Sequence, residues 1–283
     1  MRHAAAIRML TGCLLPALGF QRALAQSSPD PLERAAFVAW ARSEAKPLAR
    51  LDGRDATSVV DLTRLARFTI ATRVVGIGES AHGTRELMML KARFTEQLIA
   101  SARVSAVVLE SGLVEGRAVD AWITHETDST PDFARALSYG WGNQSETIAA
   151  LRHIREHNAR VPAARRIRFY GMDLPANGGG SLIPALELVW SYLDEVDPRF
   201  AAESRASLKP IATALHSDGY GIVGKYASVG PARDTLRMQL DSLVSHLRAN
   251  ERSFSSRTSR GRFEWVLRVA EVALQTEAAV RIG

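Results

Sequence analysis

The sequence contains a single cysteine, Cys13, which lies close to the N-terminus. If the N-terminal segment is removed, the mature chain has no disulfide, no thiolate metal site and no cysteine nucleophile. A Gly-x-Ser-x-Gly segment is also missing, and this excludes the nucleophile elbow on which many serine enzymes depend.

Long runs of one residue type are missing as well. The formal net charge is +6, but no five consecutive residues carry like charges, and no basic stripe is interleaved with aromatic residues. Binding to nucleic acid is therefore not expected. Beyond the N-terminal region no segment stays apolar for 18 residues, so we expect no stable membrane insertion of the mature chain. Hydrophobic residues make up 46% of the 283-residue chain, enough for a substantial core.

The N-terminus has the features of a secretory signal peptide. A short basic start precedes residues 9–20, which are mostly apolar but too few to span a bilayer. The triplet Ala23–Ala25 then matches the small-x-small pattern of signal peptidase sites. We predict that residues 1–25 are a signal peptide and that the mature protein is secreted or periplasmic. The alternative is a lipoprotein cleavage box at Leu10–Cys13, although only a short apolar run precedes it.

Apolar runs and helical periodicity alternate along the first 175 residues. Short apolar runs predict strands at 73–78, 104–110 and 166–173. Amphipathic spacing predicts helices around 37–41 and at 84–102, 114–125 and 146–158. The alternation favours an α/β fold with a parallel sheet and crossover helices. The apolar run at 104–110 further predicts that both faces of this strand are covered.

The sequence beyond residue 182 is helical in pattern throughout. Breaks are predicted near residues 197–198, 216–224 and 250–259. The segment NGGGS (177–181) lacks the lysine that follows a phosphate-binding loop, and we interpret it as a flexible connection. Residues 26–283 are thus predicted to form one domain, with a parallel-type sheet core and a large helical C-terminal part.

An acidic residue follows or ends each predicted strand: Glu79, Glu110 and Asp173. In parallel α/β sheets ligands bind beyond the carboxyl ends of the strands, which makes this edge the expected site. His82 lies nearby, on the glycine-rich turn GIGESAHG (76–83). A histidine supported by carboxylates is a suitable general base toward water. For each acid the alternative is a helix cap or an ion pair in a loop.

A second motif, HIREH (153–157), matches the zinc pattern in which two histidines one helical turn apart bind the metal. No third ligand is evident downstream. The alternative is an ordinary helix in which Ile148, Leu151 and Ile154 face the core and the polar side chains of the motif face solvent. We favour this alternative and predict no metal site.

The segment YGWGNQSE (139–146) precedes a predicted helix. Asn143 and Glu146 have the spacing of a capping box, with Asn143 as the N-cap. Trp141 is either part of this polar-aromatic cluster or a lining residue of a pocket.

Four segments, in this order and at similar intervals, resemble the erythromycin esterase family: GIGESAHGTREL (76–87), VVLES (107–111), WGNQSE (141–146) and FYGMD (169–173). The resemblance covers roughly residues 55–283. It implies an α/β core with inserted helices. It also implies hydrolysis of macrolide lactones or related esters by an activated water, with no serine nucleophile and no cofactor.

The resemblance assigns roles by position. His82 resembles the family's general base, and Glu79 and Glu110 resemble its supporting carboxylates. The family has an arginine about nine residues after the histidine, where this chain has Lys91, so the positive charge is kept but planar bidentate contact is lost.

Further residues are predicted to bind substrate or to stabilise an oxyanion. They are Arg85, Lys91, Trp141 and Asp173. The expected partner is a small-molecule ester or macrolide, and the expected oligomeric state is a monomer.

The resemblance also implies that the C-terminal part of the domain is missing, because family members continue to a further strand and a pair of histidines. Weak or absent esterase activity of this chain is expected for that reason. Two other functions remain open. One is a non-catalytic envelope protein that binds a metal or haem through His82, and the other is an inactive homologue.

Overall fold

The computed structural model describes residues 30–44, 69, 72–78, 83–101, 104–176, 180–217 and 222–282. The predicted signal peptide, Glu79 and His82 lie outside these described residues. The chain divides into two compact units, residues 1–48 and 49–283.

The first unit contributes helix α1, Pro31–Glu44. The Asp30 side chain accepts a hydrogen bond from the Leu32 amide, and proline suits the first turn because its missing N–H has no helical partner there. The helical spacing of the apolar residues around 37–41 is thus confirmed. None of the residues of α1 is buried, and both Phe37 and Trp40 are exposed.

The first part of the second unit, residues 83–176, forms an α/β layer. Its regular elements are helix α2 (Arg85–Ser101), strand β1 (Ala106–Gly112), helices α3 (Gly116–Ile123), α4 (Phe133–Ala136) and α5 (Ser145–Asn158), and strand β2 (Arg168–Asp173). Helices α2, α3 and α5 agree within two residues with the predicted ones, and so do both strands.

The two strands pair in parallel, with Ala106 opposite Arg168 and Leu109 opposite Gly171, which confirms the predicted parallel sheet. The register shifts between Leu109 and Gly112, a β-bulge near the carboxyl end of β1. A Cβ atom on Gly171 would lie 2.3 Å from the carbonyl oxygen of Gly112. Only glycine therefore permits the close approach of the two strands at the bulge.

The sheet has one covered and one open face. The inner face carries Val107, Leu109 and Phe169, which pack into a hydrophobic cluster with residues of α2, α3 and α5. The outer face carries Val108 and Tyr170, whose side chains are 53% and 40% exposed. The prediction that both faces of β1 are covered is therefore wrong, because the helices of the layer all lie on the inner side.

The predicted strand at 73–78 is absent from the structure. Residues 74–78 have no regular secondary structure, and Val74 is 85% exposed while Val75 and Ile77 are each 37% exposed. Within the described ranges the sheet consists of β1 and β2 alone. The β-branched residues favour a strand, but a strand forms only where its backbone groups find a partner.

Residues 180–217 and 222–282 form a helical bundle. Its helices are α6 (Ile183–Val196), α7 (Pro198–Leu215), α8 (Ile222–Ser228), α9 (Ala232–Ala249), α10 (Glu251–Arg257) and α11 (Arg260–Ile282). The predicted helical C-terminal part is confirmed, and the sequence missed one further break at residues 229–231.

Large apolar side chains fill the bundle core, where Leu186, Trp190 and Leu240 are completely buried. Asp197 caps α7 by accepting a hydrogen bond from the Phe200 amide at 3.1 Å. No helix within the described part of the chain has the length and apolar character that a membrane crossing requires.

Candidate active site

The structure describes five of the seven predicted site residues, and Glu79 and His82 lie outside the described ranges. The described five are Arg85, Lys91, Glu110, Trp141 and Asp173. They fall into two groups, one at the carboxyl edge of the sheet and one between α2 and α5.

Glu110 and Asp173 both reach the carboxyl edge of the sheet, but from opposite faces. Glu110 follows Val108 on the outer face, and its side chain is exposed. Asp173 pairs with Gly112 beyond the bulge and is half-buried on the side of Phe169. The prediction of a common edge is confirmed for Glu110 and Asp173, while Glu79 lies outside the described residues. The two described carboxylates do not face one another.

Both oxygens of Asp173 are engaged by hydrogen bonds. Oδ1 accepts from the Leu174 amide at 2.7 Å, and Oδ2 accepts from the Tyr139 hydroxyl. An anion cannot stabilise a developing oxyanion, which needs donors or positive charge. These contacts favour a structural role for Asp173, which connects the end of β2 to the turn that contains Tyr139.

Two hydrogen bonds also connect the turn at residues 137–140 to β1. The Ser138 hydroxyl accepts from the Gly112 amide at 3.0 Å, and the Ser138 amide donates to the Ser111 hydroxyl at 2.9 Å. Tyr139 has a φ of 56°, which is uncommon for a residue with a side chain, and Gly140 has a φ of 75°. Such conformations persist only where the surroundings hold them.

Sequence reasoning missed the three residues that hold this turn by hydrogen bonds, which are Ser111, Ser138 and Tyr139. Only the glycine after Tyr139 signals a turn in the sequence, and a single glycine does not reveal which side chains a turn will bind.

Trp141 follows this turn and lies in the inner-face cluster, almost completely buried. The Lys91 ammonium lies 5.6 Å from the centre of its ring, a distance typical of a cation–π contact. The indole N–H has no hydrogen-bond partner among the described residues. These contacts place Trp141 in the core below Lys91, and its predicted role in lining a pocket stays a prediction.

Arg85 connects α2 to the start of α5. Its Nε lies 3.1 Å from Glu146 Oε1, although the arginine side chain remains 76% exposed. A hydrogen bond from the Ser145 hydroxyl, together with Arg85, holds the pKa of Glu146 below its usual value. Helix α5 begins at Ser145 with Gln144 as its N-cap, so the prediction of Asn143 as the capping residue is wrong.

A buried carboxyl group that the sequence did not reveal lies beside the ends of both strands. Glu115 Oε1 accepts a hydrogen bond from the Ala176 amide, and Oε2 is buried without a partner among the described residues. Oε2 lies against Gly112, because a Cβ atom there would be 2.1 Å from it. Burial raises the pKa of Glu115, an effect that the two backbone hydrogen bonds only partly oppose.

The zinc interpretation of residues 153–157 finds no support. Leu151 and Ile154 are buried in the inner-face cluster, as an ordinary amphipathic helix requires. Within the described ranges no three metal-binding side chains come together. Burial and the neighbouring positive charges, His153 first among them, lower the pKa of His157.

An open cleft of about 1150 Å³ lies between the α/β layer and the helical bundle. Tyr170 and Arg168 line it on the sheet side, and Tyr192 and Trp265 line it on the bundle side. Arg168 binds the buried carboxylate of Asp120, which also accepts from the Phe169 amide at 2.9 Å. Charges on this wall of the cleft are therefore paired within the protein.

A comparison with protein families matches residues 99–283 to the erythromycin esterase family. The matched range contains Glu110, Trp141 and Asp173, and it begins after Glu79 and His82.

Two curated relatives come from Escherichia coli. Erythromycin esterase type II is 28% identical over 137 residues, which cover 48% of this chain and 32% of the relative. Erythromycin esterase type I is 28% identical over 108 residues, covering 36% of this chain and 24% of the relative. The matched segment thus spans about a third or less of the length of these relatives.

Solved structures share the fold. A protein from Bacillus cereus superposes with a TM-score of 0.68 at 19% identity, over 87% of this chain and 56% of the other. A succinoglycan biosynthesis protein gives 0.67 at 18% identity, over 89% of this chain and 58% of the other. A mutant of the erythromycin esterase EreC in its open conformation gives 0.63 at 18% identity, over 83% of this chain and 55% of the other. The architecture is therefore that of an erythromycin esterase-like α/β protein, and since the family match extends over well more than half of the sequence, the chain belongs to the erythromycin esterase family.

Proposed function

We propose that this protein is a hydrolase that cleaves an ester or a macrolide lactone with a water molecule activated by His82. The family match over residues 99–283 is the observation that carries the proposal. It includes Glu110 in the segment VVLES, and it links the chain to relatives named as erythromycin esterases.

In the proposed reaction Glu79 and Glu110 orient His82 and stabilise its protonated form. His82 takes a proton from water, and the water oxygen attacks the carbonyl carbon of the ester. The tetrahedral intermediate then expels the alkoxide, which takes the proton from His82. The products are an acid and an alcohol, and no cofactor is required.

Arg85 and Lys91 are the two predicted cations for the developing oxyanion. The ion pair with Glu146 occupies Arg85, which would have to leave it to reach a substrate. Lys91 is held over the Trp141 ring, on the helix that follows the GIGESAHG turn. Either positive charge would stabilise the oxyanion that develops in the transition state.

The exposed apolar side chains of the outer face favour a large, mostly apolar substrate. The exposed side chains of Val108, Tyr170 and Met172 share this face with Glu110. A macrolide ring could rest on this apolar surface while Glu110 remains accessible at the carboxyl end of β1. The same Glu/His group could also hold a divalent ion that acidifies the water, so the test includes a chelator.

The proposal is tested with the chain lacking residues 1–25, incubated with erythromycin and with a panel of chromogenic esters. We expect His82→Ala to lower kcat by about 100-fold or more, the size of a lost general base. The control His153→Ala, on helix α5, should leave kcat unchanged, and a chelator should have no effect.

Equal kcat values for the parent chain and His82→Ala would refute the role of His82. Loss of activity with the chelator would show that a metal ion, and not His82 alone, activates the water. The proposal requires at least weak activity of the parent chain, so complete inactivity toward every ester would reject the proposed function for this polypeptide. Release of residues 1–25, the proposed signal for export, is checked by N-terminal sequencing of the protein recovered from a secreting host.

A further inference from the structure

Positive charge is concentrated at the end of helix α5 and in the connection from α5 to β2. Residues 150–166 contain five arginines and two histidines, but only one acid, Glu156. Two of the arginines are used inside the fold, since Arg155 pairs with Asp128 at 3.0 Å and Arg166 donates to the backbone at the end of α3. The other basic side chains of this stretch are therefore the ones that can act on a ligand.

Arg160 and Arg165 have no internal role of this kind. Both residues are exposed, and neither forms a hydrogen bond or an ion pair with a residue that the structure describes. Glu156 lies one helical turn before Arg160, yet the two side chains do not pair. Burial, and then the positive charges of His153, Arg160 and Arg165, lower the pKa of the half-buried His157. Like charges this close repel one another, and a bound anion would relieve the repulsion.

The backbone that carries these side chains is held in place by hydrogen bonds. The buried side chain of Asn158 joins the two ends of the connection, because it donates to the Ile167 carbonyl oxygen at 2.9 Å and accepts from the Ile167 amide at 2.7 Å. Within the connection the Arg165 amide donates to the Pro162 carbonyl oxygen at 2.8 Å, in a short 3-10 turn. Arg160 and Arg165 therefore extend from a fixed loop, which lowers the entropy lost when a ligand binds.

Basic residues at the end of a helix often bind the last carbonyl oxygens of that helix. Two of these oxygens in α5 already have other partners. The carbonyl oxygen of Arg155 lies 3.0 Å from His125 Nε2, and that of His157 accepts a hydrogen bond from the Arg160 amide at 3.0 Å. Arg165 lies outside the helix altogether. Capping of α5 therefore leaves both guanidinium groups available.

We propose that His157, Arg160 and Arg165 form a binding site for the phosphate group of a small soluble molecule. Guanidinium groups match phosphate oxygens in bidentate pairs, and the imidazole supplies a further donor. The three side chains form one compact group and not a stripe, which favours a small ligand over a nucleic acid. No large apolar side chain is exposed within the fully described stretch 145–167, so nothing here would insert into a lipid surface.

The phosphate site is separate from the candidate active site. It lies where α5 leads into the amino end of β2, whereas Glu110 and Asp173 lie at the carboxyl end of the sheet. Strand β2 has 6 residues, and at about 3.3 Å per residue it separates the two ends by about 20 Å. The phosphate site therefore does not depend on the proposed ester hydrolysis, and binding is measured without an ester.

Titration calorimetry with inorganic phosphate and with phenyl phosphate, at constant ionic strength, tests the site. We expect saturable binding that Arg160→Gln and Arg165→Gln each weaken by at least about tenfold, the effect of losing a charge-assisted hydrogen bond. The matched control is Arg152→Gln, an exposed arginine on another side of α5, which should change the affinity by less than about twofold. Equal weakening in all three variants would overturn the proposal, because only the overall charge would then matter. The absence of saturable binding would overturn it too.

Two further measurements locate the ligand. In NMR spectra, phosphate should shift the ring resonances of His157 and leave those of His216, in the helical bundle, unchanged. Unchanged His157 resonances at saturating phosphate would overturn the assigned site. Vesicles of equimolar phosphatidylcholine and phosphatidic acid present the same phosphate group on a membrane. We expect free phosphate to bind and these vesicles not to bind, and vesicle binding without binding of free phosphate would overturn the proposal.

Discussion

The α/β layer and the helical bundle differ in how completely their buried polar groups are satisfied. Three buried side-chain atoms lack a partner among the described residues, and all three lie in the α/β layer: Glu115 Oε2, Trp141 Nε1 and Arg166 Nε. In the bundle, the Trp190 indole donates to the Ser204 hydroxyl at 3.1 Å, and the buried Glu277 is fully engaged. Unsatisfied buried groups are uncommon in native proteins and tend to mark functional regions.

Exposure of apolar side chains follows the same division. The outer face of the sheet leaves Val108, Tyr170 and Met172 accessible, whereas the large apolar side chains of the bundle are mostly buried. The difference indicates that the bundle provides stability and that the α/β layer provides the surface for chemistry. Variants in either region test this division.

The largest expected effect is the loss of the buried carboxylate in the bundle. Glu277 accepts hydrogen bonds from Tyr226, from Arg281 at 2.8 Å and from Arg237 at 3.3 Å. Burial and the bond to Glu277 raise the pKa of Tyr226 to about 12. Glu277→Ala leaves a buried void and removes the acceptor of the Tyr226 hydroxyl, whereas Arg237 keeps Asp241 and Arg281 keeps Asp234. We expect a loss of about 3–5 kcal/mol in the free energy of unfolding.

Urea unfolding at neutral pH measures this loss. The control is Glu264→Ala, which removes an exposed helical ion pair with Arg260 and should cost less than about 1 kcal/mol. Similar losses for the two variants would show that the buried network contributes little to the bundle.

A smaller effect is expected from the best-satisfied group of the α/β layer. The buried Asn158 side chain donates to the carbonyl oxygens of Ile123 and Ile167 and accepts from the Ile167 amide at 2.7 Å. Asn158→Ala leaves these backbone groups buried and unpaired, at a cost of about 2–3 kcal/mol in urea unfolding. Asn143→Ala, at an exposed position, is the control. If Asn158→Ala lowered the free energy of unfolding more than Glu277→Ala does, the α/β layer and not the bundle would be the main source of stability.

The smallest effects concern pH. The pKa of Glu115 is raised by burial, so its folded form prefers the proton, and stability falls as the pH rises from 4.5 through the raised value. Glu115→Gln should remove this fall and become increasingly favourable, relative to the parent chain, at higher pH. The measurement is Tm between about pH 3 and pH 8.

Glu126 supplies the opposite slope as an internal control. Burial alone would raise its pKa, but the hydrogen bond and charge of Arg117, with Arg168, lower it. Its stabilisation is therefore present above pH 4.5 and is lost as the pH falls through the lowered value. If Tm depended on pH in the same way for Glu115→Gln and Glu126→Gln, the pKa of Glu115 would not be raised by burial in the folded protein.

The sequence predicted the repetitive features of the fold well. Periodicity located α2, α5 and both observed strands, because amphipathic spacing is a local property of the chain. It failed for residues 73–78, where strand formation depends on a partner that no local pattern encodes. It also overestimated the cover on β1, since an apolar run does not reveal how many layers pack against it.

The site was predictable only in part for a related reason. The positions of Glu110 and Asp173 at strand ends followed from the pattern, but their placement on opposite faces depends on the register of the two strands, which the pattern does not give. Glu115 and Tyr139 were missed because their importance comes from tertiary contacts, with Ala176 and Asp173 respectively. Motifs identify the chemical groups of a site, whereas burial and long-range hydrogen bonds decide which of them are available.

The pairing of Ala106 with Arg168 has a consequence for the folding rate. These partners are far apart in sequence, so a long loop must close before any bond of the sheet forms, whereas neighbouring helices of the bundle meet through short connections. We expect the bundle to fold early and the parallel pair to form late. During that interval the edges of β1 and β2 are open to other chains, which makes aggregation during refolding depend on protein concentration.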